Sequence, residues 1–244
     1  MGKSILVDIR NRLIDSIAKR ILCSRLEHPM RIGIDGITAS GKSTFAKELY
    51  ERLSLSGRRC NLTTLDGFHN PKSVRYQKGR ESAQGYYLDA YNYEQVLKNL
   101  LLPLGPQGNL QYRTKTHDLK TDEAIEMPFI SANLDEILIV DGSFALRKEL
   151  KEHWDFKIYI KVEFEIAQSR AAVRDADYFG SSEKALEVTR IRYHGAHLIH
   201  NELATPWLFA DVVINNDKPE NPVIEKQRRA WERETLTEET PQQR

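Results

Sequence analysis

Gly36-Ile-Thr-Ala-Ser-Gly41-Lys42-Ser43 is the stretch of sequence that decides the fold. It satisfies the pattern Gly-x-x-x-x-Gly-Lys-Ser/Thr and lies between an apolar run, 30–35, and a helix-like stretch, 43–53. In that context the glycines let the backbone wrap around phosphate groups beside a helix N-terminus, so that successive N–H groups point inward. The stretch therefore predicts a binding site for a nucleoside triphosphate, with an ordinary glycine turn as the alternative.

Two side chains of this loop and one outside it have expected roles at the phosphates. Lys42 would reach the β- and γ-phosphates, and the Ser43 hydroxyl would bind magnesium. Asp141, which follows the apolar run 136–140, fits a second magnesium ligand, and a helix cap is its alternative role. The loop residues expected to bind the nucleotide are Gly36, Thr38, Ala39, Ser40, Gly41, Lys42, Ser43 and Thr44.

The spacing of β-rich runs predicts the fold class. Five such runs, separated by helical patterns, occur at 30–35, 60–65, 136–140, 156–162 and 210–214. This spacing favours an α/β fold of the P-loop NTPase type, with a five-stranded parallel sheet covered by helices on both faces. We expect one such domain over residues 29–220, after an N-terminal amphipathic helix (1–28) and before a charged C-terminal helix or tail (221–244).

The composition excludes several classes of protein. The 244 residues include 36 Lys and Arg against 35 Asp and Glu, a formal charge of +1. This net positive charge is too small to favour nucleic acid as a partner. No apolar run approaches the roughly 18 residues of a membrane span. The two cysteines, Cys23 and Cys60, are too few for a disulfide scaffold and fit a reducing compartment, the cytoplasm.

The first residues of the chain form an amphipathic pattern. Its apolar positions, four residues apart, are Ile5, Ile9, Leu13, Ile17 and Ile21. This spacing predicts a helix that packs on the following domain. A mitochondrial presequence is the alternative interpretation, and Asp8 and Asp15 count against it.

Asp66 is the candidate for a catalytic base. Open parallel sheets bind ligands at the carboxyl ends of their strands, and Asp66 directly follows the run 60–65. A carboxylate beside the γ-phosphate would accept the proton of an attacking hydroxyl group and orient its oxygen. A turn residue in Asp66-Gly67 is the alternative.

The order of these motifs adds a family resemblance. The phosphate loop is followed by Leu65-Asp66-Gly67-Phe68-His69, Tyr87-Leu88-Asp89-Ala90-Tyr91, Val140-Asp141-Gly142-Ser143, Arg170-Ala-Ala-Val-Arg174-Asp175 and Ala210-Asp211-Val-Val-Ile214. Over residues 30–217 the chain resembles the uridine kinase and phosphoribulokinase-like family of P-loop kinases. The resemblance implies a five-stranded parallel core, Mg-ATP at the phosphate loop, transfer of the γ-phosphate to a small-molecule hydroxyl group, and a mobile lid that carries arginines.

The resemblance also assigns roles to single residues. Asp66 matches the catalytic aspartate of the family, beside Lys42 of the loop. Arg170 and Arg174 match lid arginines that contact ATP phosphates, and their spacing puts both on one helix face, where Arg174 would offset charge on the transferred group. A solvated basic helix face is the alternative for this pair.

The acceptor site is the least determined part. Asp89 matches an aspartate that binds ribose hydroxyl groups in uridine kinases, and Tyr112 and His117 match positions near the pyrimidine. On residues alone, Asp89 fits equally well as the cap of a helix over 90–102, and a lone histidine is more often structural. Uridine kinases typically carry Asp-Ser-Phe-Tyr where this chain has Asp66-Gly-Phe-His69, so we expect His69 to face a different substrate.

These observations predict an ATP-dependent kinase of a small molecule, with uridine or cytidine as the leading acceptor and a 5′-monophosphate as product. Pantothenate, nicotinamide riboside, and a sugar or sugar phosphate are alternative acceptors. An acceptor that carries its own phosphate group needs additional cations to bind it. Four basic residues follow Asp66 closely in the sequence: Lys72, Arg75, Lys78 and Arg80. A nucleotide-dependent switch is a weaker alternative, because no Asn-Lys-x-Asp motif occurs. A homo-oligomer remains open.

Overall fold

A six-stranded sheet forms the centre of the molecule. The computed structural model describes residues 2–228, with side chains from residue 9 onward. The strands are β1 Met30–Gly36, β2 Cys60–Thr64, β3 Gln111–Tyr112, β4 His117–Asp118, β5 Glu123–Ala124, β6 Ile130–Ser131, β7 Ile137–Asp141, β8 Phe156–Lys161, β9 Val212–Asn215 and β10 Val223–Gln227. The central sheet has the order β10-β9-β8-β1-β7-β2, while β3 pairs with β6 and β4 with β5 in two small sheets.

The central sheet corrects one expectation about the strand count and another about the tail. The five predicted strands are present and run parallel, but β10 adds a sixth, antiparallel strand at the edge beside β9. The start of the predicted C-terminal helix is therefore a strand, because its exposure alternates along Val223–Gln227 with the period of two that a half-covered strand requires. The rest of the predicted tail, 229–244, lies outside the described residues.

Helices cover both faces of the sheet. They are α1 Gly2–Cys23, α2 Lys42–Ser54, α3 Lys72–Arg75, α4 Ala83–Asp89, α5 Tyr93–Val96, α6 Phe164–Arg174, α7 Ala176–Phe179, α8 Ser182–Val188, α9 Gly195–Ala204 and α10 Pro206–Phe209. Helices α5 and α8 continue as π-helical segments over Leu97–Leu101 and Thr189–His194. No helix in residues 2–228 is both long and apolar enough to cross a membrane.

The helix predicted over 90–102 begins later than expected. Asn92 caps α5 by accepting a hydrogen bond from the Gln95 N–H at 3.0 Å. Asp89 is instead the last residue of α4, so its expected alternative role as a helix cap is wrong. The side-chain acceptor that an N-terminus prefers lies three residues further along the chain.

The two faces of the sheet bury different apolar clusters. In β1, Ile32 and Ile34 pack with α1 and α2, whereas the backbone of Gly33 lies against the Trp154 indole on the other face. A Cβ at position 33 would come within 2.6 Å of that ring, so the position requires glycine. This alternation positions the ends of β1, β2 and β7 along one edge of a rigid sheet.

Helix α1 is part of the domain core. Its buried residues belong to the same cluster as Ile32, Phe45 and Ile158, and they are Leu13, Ile14, Ile17, Ala18 and Ile21. Arg10 adds a bidentate contact to Glu48 of α2. The expected packing of the N-terminal helix on the following domain is therefore present from Arg10 onward.

We expect Ile17→Ala to lower the free energy of unfolding by about 2–5 kcal/mol, because it leaves a cavity at a fully buried position. Lys19→Ala on the exposed side of the same helix is the matched control and should change it by less than about 0.5 kcal/mol. Urea denaturation of both variants measures the difference. Equal, small effects would show that α1 contributes little to the core.

Candidate active site

The phosphate loop joins β1 to α2 through a strained backbone. Ala39 and Gly41 have positive φ angles of 64° and 89°, and Gly41 directly precedes the first residue of α2. A Cβ at Gly41 would lie 2.7 Å from Asn216 Nδ2, which donates a hydrogen bond to the Ser40 carbonyl oxygen. Glycine is therefore required at position 41 both by the backbone angle and by this close approach. The loop has the shape that its sequence predicts.

A buried carboxylate holds the base of this loop. Asp35 is fully buried, and its Oδ1 accepts hydrogen bonds from the N–H groups of Gly36 and Phe144 at 2.6 and 3.1 Å. Its Oδ2 accepts from Leu146 N–H at 2.7 Å and from His200 Nε2 at 2.9 Å. Burial raises the pKa of Asp35, but the charge and hydrogen bond of His200, with further contributions, outweigh it and bring the pKa to about 2.

His197 lies beside this carboxylate and is fully buried. Burial lowers its pKa to about 3, so the ring is neutral at physiological pH. The sequence reasoning missed Asp35, His197 and His200. A signal for Asp35 was present, because a carboxylate at the end of a mostly apolar strand must find partners.

The candidate magnesium ligands are in contact. Ser43 Oγ donates a hydrogen bond of 2.6 Å to Asp141 Oδ2. Burial raises the pKa of Asp141 against the opposing effects of Ser43 and Lys42, and burial lowers the pKa of Lys42. A hydroxyl and a carboxylate oxygen side by side are the hard donors that magnesium prefers, so this pair fits the ion.

The nucleotide also fits the loop. Ser40 Oγ is buried and has no hydrogen-bond partner among the described residues. Within residues 2–228, Lys42 Nζ makes one long hydrogen bond of 3.4 Å, to the Ile37 carbonyl oxygen. Both groups are donors in need of an acceptor, and phosphate oxygens would supply one.

Asp66 follows β2 in a short 3₁₀ turn, Leu65–Phe68, which Thr64 caps by accepting a hydrogen bond from the Asp66 N–H. Its side chain is 56% exposed. Tyr91 donates its phenolic O–H to Asp66 Oδ1 at 3.1 Å, and His69 Nε2 lies 3.4 Å from the same oxygen. Asp66 Oδ2 makes no hydrogen bond within residues 2–228, so it is available to an acceptor hydroxyl group.

Partial desolvation within the cleft raises the pKa of Asp66, but the contacts and charges of His69, Lys42 and Tyr91 outweigh it, and the net pKa lies below the ordinary value. The carboxylate is therefore ionised at neutral pH. His69 Nδ1 contacts the Ala90 carbonyl oxygen at 2.8 Å, and because a carbonyl only accepts, Nδ1 carries the proton. The ring stacks on Tyr91 with centroids 4.3 Å apart, which fixes both groups beside Asp66.

A cleft of about 820 Å³ joins these groups. The predicted site residues that line it are Thr38, Ala39, Lys42, Ser43, Asp66, His69, Asp141 and Arg174. Gly36, Ser40, Gly41 and Thr44 complete the loop behind them. The phosphate-binding groups, the magnesium ligands and the candidate base therefore share one cavity.

Three predicted acceptor residues do not line this cleft. Tyr112 is fully buried and donates its O–H to Glu136 Oε1 at 2.9 Å. Asp89 pairs with Lys78 Nζ at 2.6 Å. His117 is buried with its Nε2 at 3.2 Å from Asp122 Oδ1. Each of these side chains is engaged by a partner outside the cleft, so the structure does not bring them to Asp66.

The two predicted lid arginines are separated. Arg174 lines the cleft and pairs with Asp175 at 2.7 Å. Arg170 lies outside the lining and donates to the carbonyl oxygens of Asn216 and Asp217. Sequence reasoning gave no role to Tyr91, the last residue of a quoted motif, and it missed three cleft residues that no local motif marks: Tyr86, Arg192 and Tyr193.

Comparisons with known proteins agree with this geometry. The model of the phosphoribulokinase / uridine kinase family matches residues 31–196. Uridine kinase of Clostridium perfringens (strain ATCC 13124) is 26% identical over 192 residues, which cover 78% of this chain and 88% of the relative. Uridine-cytidine kinase B of Dictyostelium discoideum is 29% identical over 162 residues, and the match covers 65% of this chain but less than two thirds, 63%, of that relative.

A solved structure agrees as well. The structure of a possible uridine kinase from Bacillus stearothermophilus has a TM-score of 0.63 and 25% identity, and the alignment covers 82% of this chain and 96% of that one. The central, mostly parallel sheet flanked by helices is the fold of that neighbour. The predicted α/β class and P-loop fold are confirmed.

We expect Lys42→Ala to abolish binding of Mg-ATP, because the neutral side chain leaves the β- and γ-phosphates without their main cation. Isothermal titration calorimetry measures the affinity. Lys47→Ala, on the exposed side of α2, is the matched control and should bind as the unchanged protein does. Unaltered affinity in Lys42→Ala would contradict the assignment of the loop.

The buried His197 predicts acid sensitivity. An unfolded chain protonates histidine near pH 6.5, whereas folded His197 stays neutral to about 3. The unfolded state thus binds more protons in this window, so the free energy of unfolding falls as the pH decreases below 6.5, by about 1.4 kcal/mol per unit for each such histidine.

His197→Leu should reduce this slope, measured by urea denaturation at several pH values between 7.5 and 4.5. Leu198→Ala, at an exposed position of the same helix, is the control that should keep the slope. A variant slope equal to that of the unchanged protein would rule out His197 as its source.

Proposed function

Because the chain belongs to the phosphoribulokinase / uridine kinase family, we propose that its cleft transfers the γ-phosphate of Mg-ATP to a small-molecule hydroxyl group held against Asp66. The chain is an ATP-dependent phosphotransferase of the P-loop kinase fold. One observation carries the proposal. The cleft that holds Lys42, Ser43 and Asp141 also holds an ionised carboxylate with one oxygen available.

The transfer step balances as a single displacement. The acceptor oxygen forms a bond to the γ-phosphorus, the bond from that phosphorus to the bridging oxygen breaks, and ADP leaves with its electron pair. Asp66 Oδ2 takes the proton of the acceptor hydroxyl group. Tyr91 holds Oδ1 by its hydrogen bond, and the His69 ring lies 3.4 Å from the same oxygen, so the carboxylate keeps its orientation during the step.

The remaining groups stabilise charge. The loop N–H groups and Lys42 bind the phosphate oxygens, and Arg174 offsets charge that develops on the transferred group. Ser43 and Asp141 would hold magnesium, which when bound neutralises charge on the β- and γ-phosphate oxygens. Arg174 needs to exchange Asp175 for phosphate, and both residues already line the cleft.

Uridine and cytidine are the first acceptors we propose, with the nucleoside 5′-monophosphate as product. Support comes from the relatives, which are named as a uridine kinase and a uridine-cytidine kinase. Asp89, Tyr112 and His117 give no added support, because their side chains are engaged outside the cleft.

A second candidate is a kinase of an acceptor other than a nucleoside, such as a hydroxy acid or a sugar phosphate. The observation that favours it is the number of basic side chains beside Asp66 in the cleft, among them Lys72 and Arg80. Neutral nucleosides have no group that requires them.

We also propose a cytoplasmic location for the protein. Cys23 and Cys60 are both free thiols, as is usual in a reducing compartment.

The test is an acceptor panel with mass detection of the product. The panel contains uridine, cytidine, nicotinamide riboside, pantothenate, glycerate and several sugar phosphates, each with Mg-ATP. A phosphorylated acceptor supports the proposal, and ADP release without any phosphorylated product would refute it.

With the accepted substrate, Asp66→Asn should lower turnover by about 100-fold or more, the scale of a lost general base, while the affinity for ATP stays nearly unchanged. Asp135→Asn, at an exposed position away from the cleft lining, is the matched control. If Asp66→Asn weakens binding and leaves turnover intact, Asp66 positions a ligand and is not the base.

A further inference from the structure

Three arginines converge on one aromatic ring in the cleft. The guanidinium carbons of Arg75, Arg80 and Arg192 lie 5.2, 5.3 and 5.0 Å from the ring centroid of Tyr76. They come from three separate segments: helix α3, the loop before α4, and the π-helical segment Thr189–His194. Tyr76 and the three arginines all line the cleft.

These positive charges are poorly balanced by carboxylates. Among the described residues, Arg75 pairs with Asp122 at 3.2 Å, but no carboxylate forms an ion pair with Arg80 or Arg192. Burial raises the pKa of the Tyr76 hydroxyl group, yet the hydrogen bond and charge of Arg75, with the charges of Arg192 and Arg80, outweigh it, so the pKa is lowered. A phenol that loses its proton more easily marks a region of positive potential.

Two lysines extend this region. Lys72 and Lys120 line the same cleft, and neither forms an ion pair with a carboxylate within residues 2–228. We call Lys72, Arg75, Arg80, Lys120 and Arg192 the cation cluster. The carboxylates in the cleft lining are Asp66, Asp141 and Asp175, and the last of these pairs with Arg174. The whole chain has a charge of only +1, so this excess is local.

The cation cluster is connected to the segment that carries the candidate base. Arg75 donates to the Asn70 carbonyl oxygen at 2.9 Å, one residue after His69, which contacts Asp66. Lys72 and Arg75 share Asp122 as a partner, through the Lys72 backbone N–H and the Arg75 side chain. The triphosphate has its own donors in the loop, in Lys42 and in Arg174. A further anion is therefore needed to balance the charge on the Asp66 side.

We propose that the cation cluster binds an anionic group, a phosphate or a carboxylate, on the acceptor molecule whose hydroxyl group lies against Asp66. The inference rests on the proposed kinase function and names its substrate class. The inference favours the second candidate acceptor named above, a hydroxyl-bearing phosphate ester or hydroxy acid, over the neutral nucleosides that the names of the relatives suggest. The transfer step is unchanged, because the anionic group takes no part in bond making or breaking.

Arg80 and Lys120 suit the test because both are exposed, so their replacement leaves the packing intact. Arg192 donates to the backbone carbonyl oxygen of Arg80, a contact that persists in Arg80→Met. Lys98→Met, at an exposed position in Leu97–Leu101 outside the cleft lining, is the matched control. All variants are full-length chains.

In the kinetic arm, the wild-type chain is assayed with Mg-ATP against uridine and cytidine, glycerate and pantothenate as hydroxy acids, and a set of sugar phosphates. We expect turnover with an anionic acceptor, and a KM for that acceptor raised about tenfold or more in Arg80→Met and in Lys120→Met. The KM for ATP should change by less than about twofold, which also separates this role from triphosphate binding. The sugar phosphates and the hydroxy acids distinguish phosphate from carboxylate.

Two kinetic outcomes would overturn the inference. One is efficient turnover of uridine or cytidine with a KM that Arg80→Met leaves unchanged. That result would support the proposed kinase function and refute the anionic acceptor. The other is a raised KM for ATP with an unchanged KM for the acceptor, which would assign the cation cluster to the triphosphate.

The binding arm does not depend on turnover. Inorganic phosphate is titrated calorimetrically into the chain with the phosphate loop filled by a magnesium complex of a non-hydrolysable ATP analogue. We expect phosphate binding that is lost in the Arg80→Met, Lys120→Met double variant and kept in Lys98→Met. If no acceptor is phosphorylated, this arm alone decides the anion site; phosphate binding that is absent, or equal in all variants, refutes it.

Discussion

The buried carboxylate of Asp35 is the constraint on which the site depends. It receives N–H groups from the start of the phosphate loop and from the segment that follows Asp141, and it contacts His200 of α9. Because an unpaired charge in such a place is very costly, all these partners must be present together. The phosphate loop, the strand that carries Asp141 and the helix behind them are thereby fixed in one arrangement.

The sequence predicted what local patterns determine. The phosphate loop and the five parallel strands follow from glycine spacing and apolar runs, and Asp66 and Asp141 follow from their positions after strands. The positions of the predicted acceptor residues, by contrast, depend on partners elsewhere in the sequence. The Tyr112 hydroxyl group donates a hydrogen bond to Glu136, and the Asp89 carboxylate forms an ion pair with Lys78. No periodicity in the sequence predicts such pairs. Strand β10 was missed because its short alternation lies within a highly charged segment.

The cleft has two electrostatically different parts. On one side, backbone N–H groups and Lys42 surround a loop whose shape depends on glycine, an arrangement suited to any triphosphate. On the other side, side chains from three segments meet around Tyr76, and none of them belongs to a recurrent motif. On the proposed function, the triphosphate is bound largely by backbone groups of the loop, and the acceptor is selected by side chains from separate segments.

The packing of α1 has a practical consequence for protein engineering. Residues 13–21 close the apolar face formed by β1, α2 and β8. A shortened version that began at Met30 would expose Ile32, Ile34 and Phe45 to the solvent as a continuous apolar surface. We expect such a version to aggregate into inclusion bodies, although it would still contain every proposed catalytic residue. Libraries and crystallisation variants of this kinase should therefore treat the first helix as part of the enzyme.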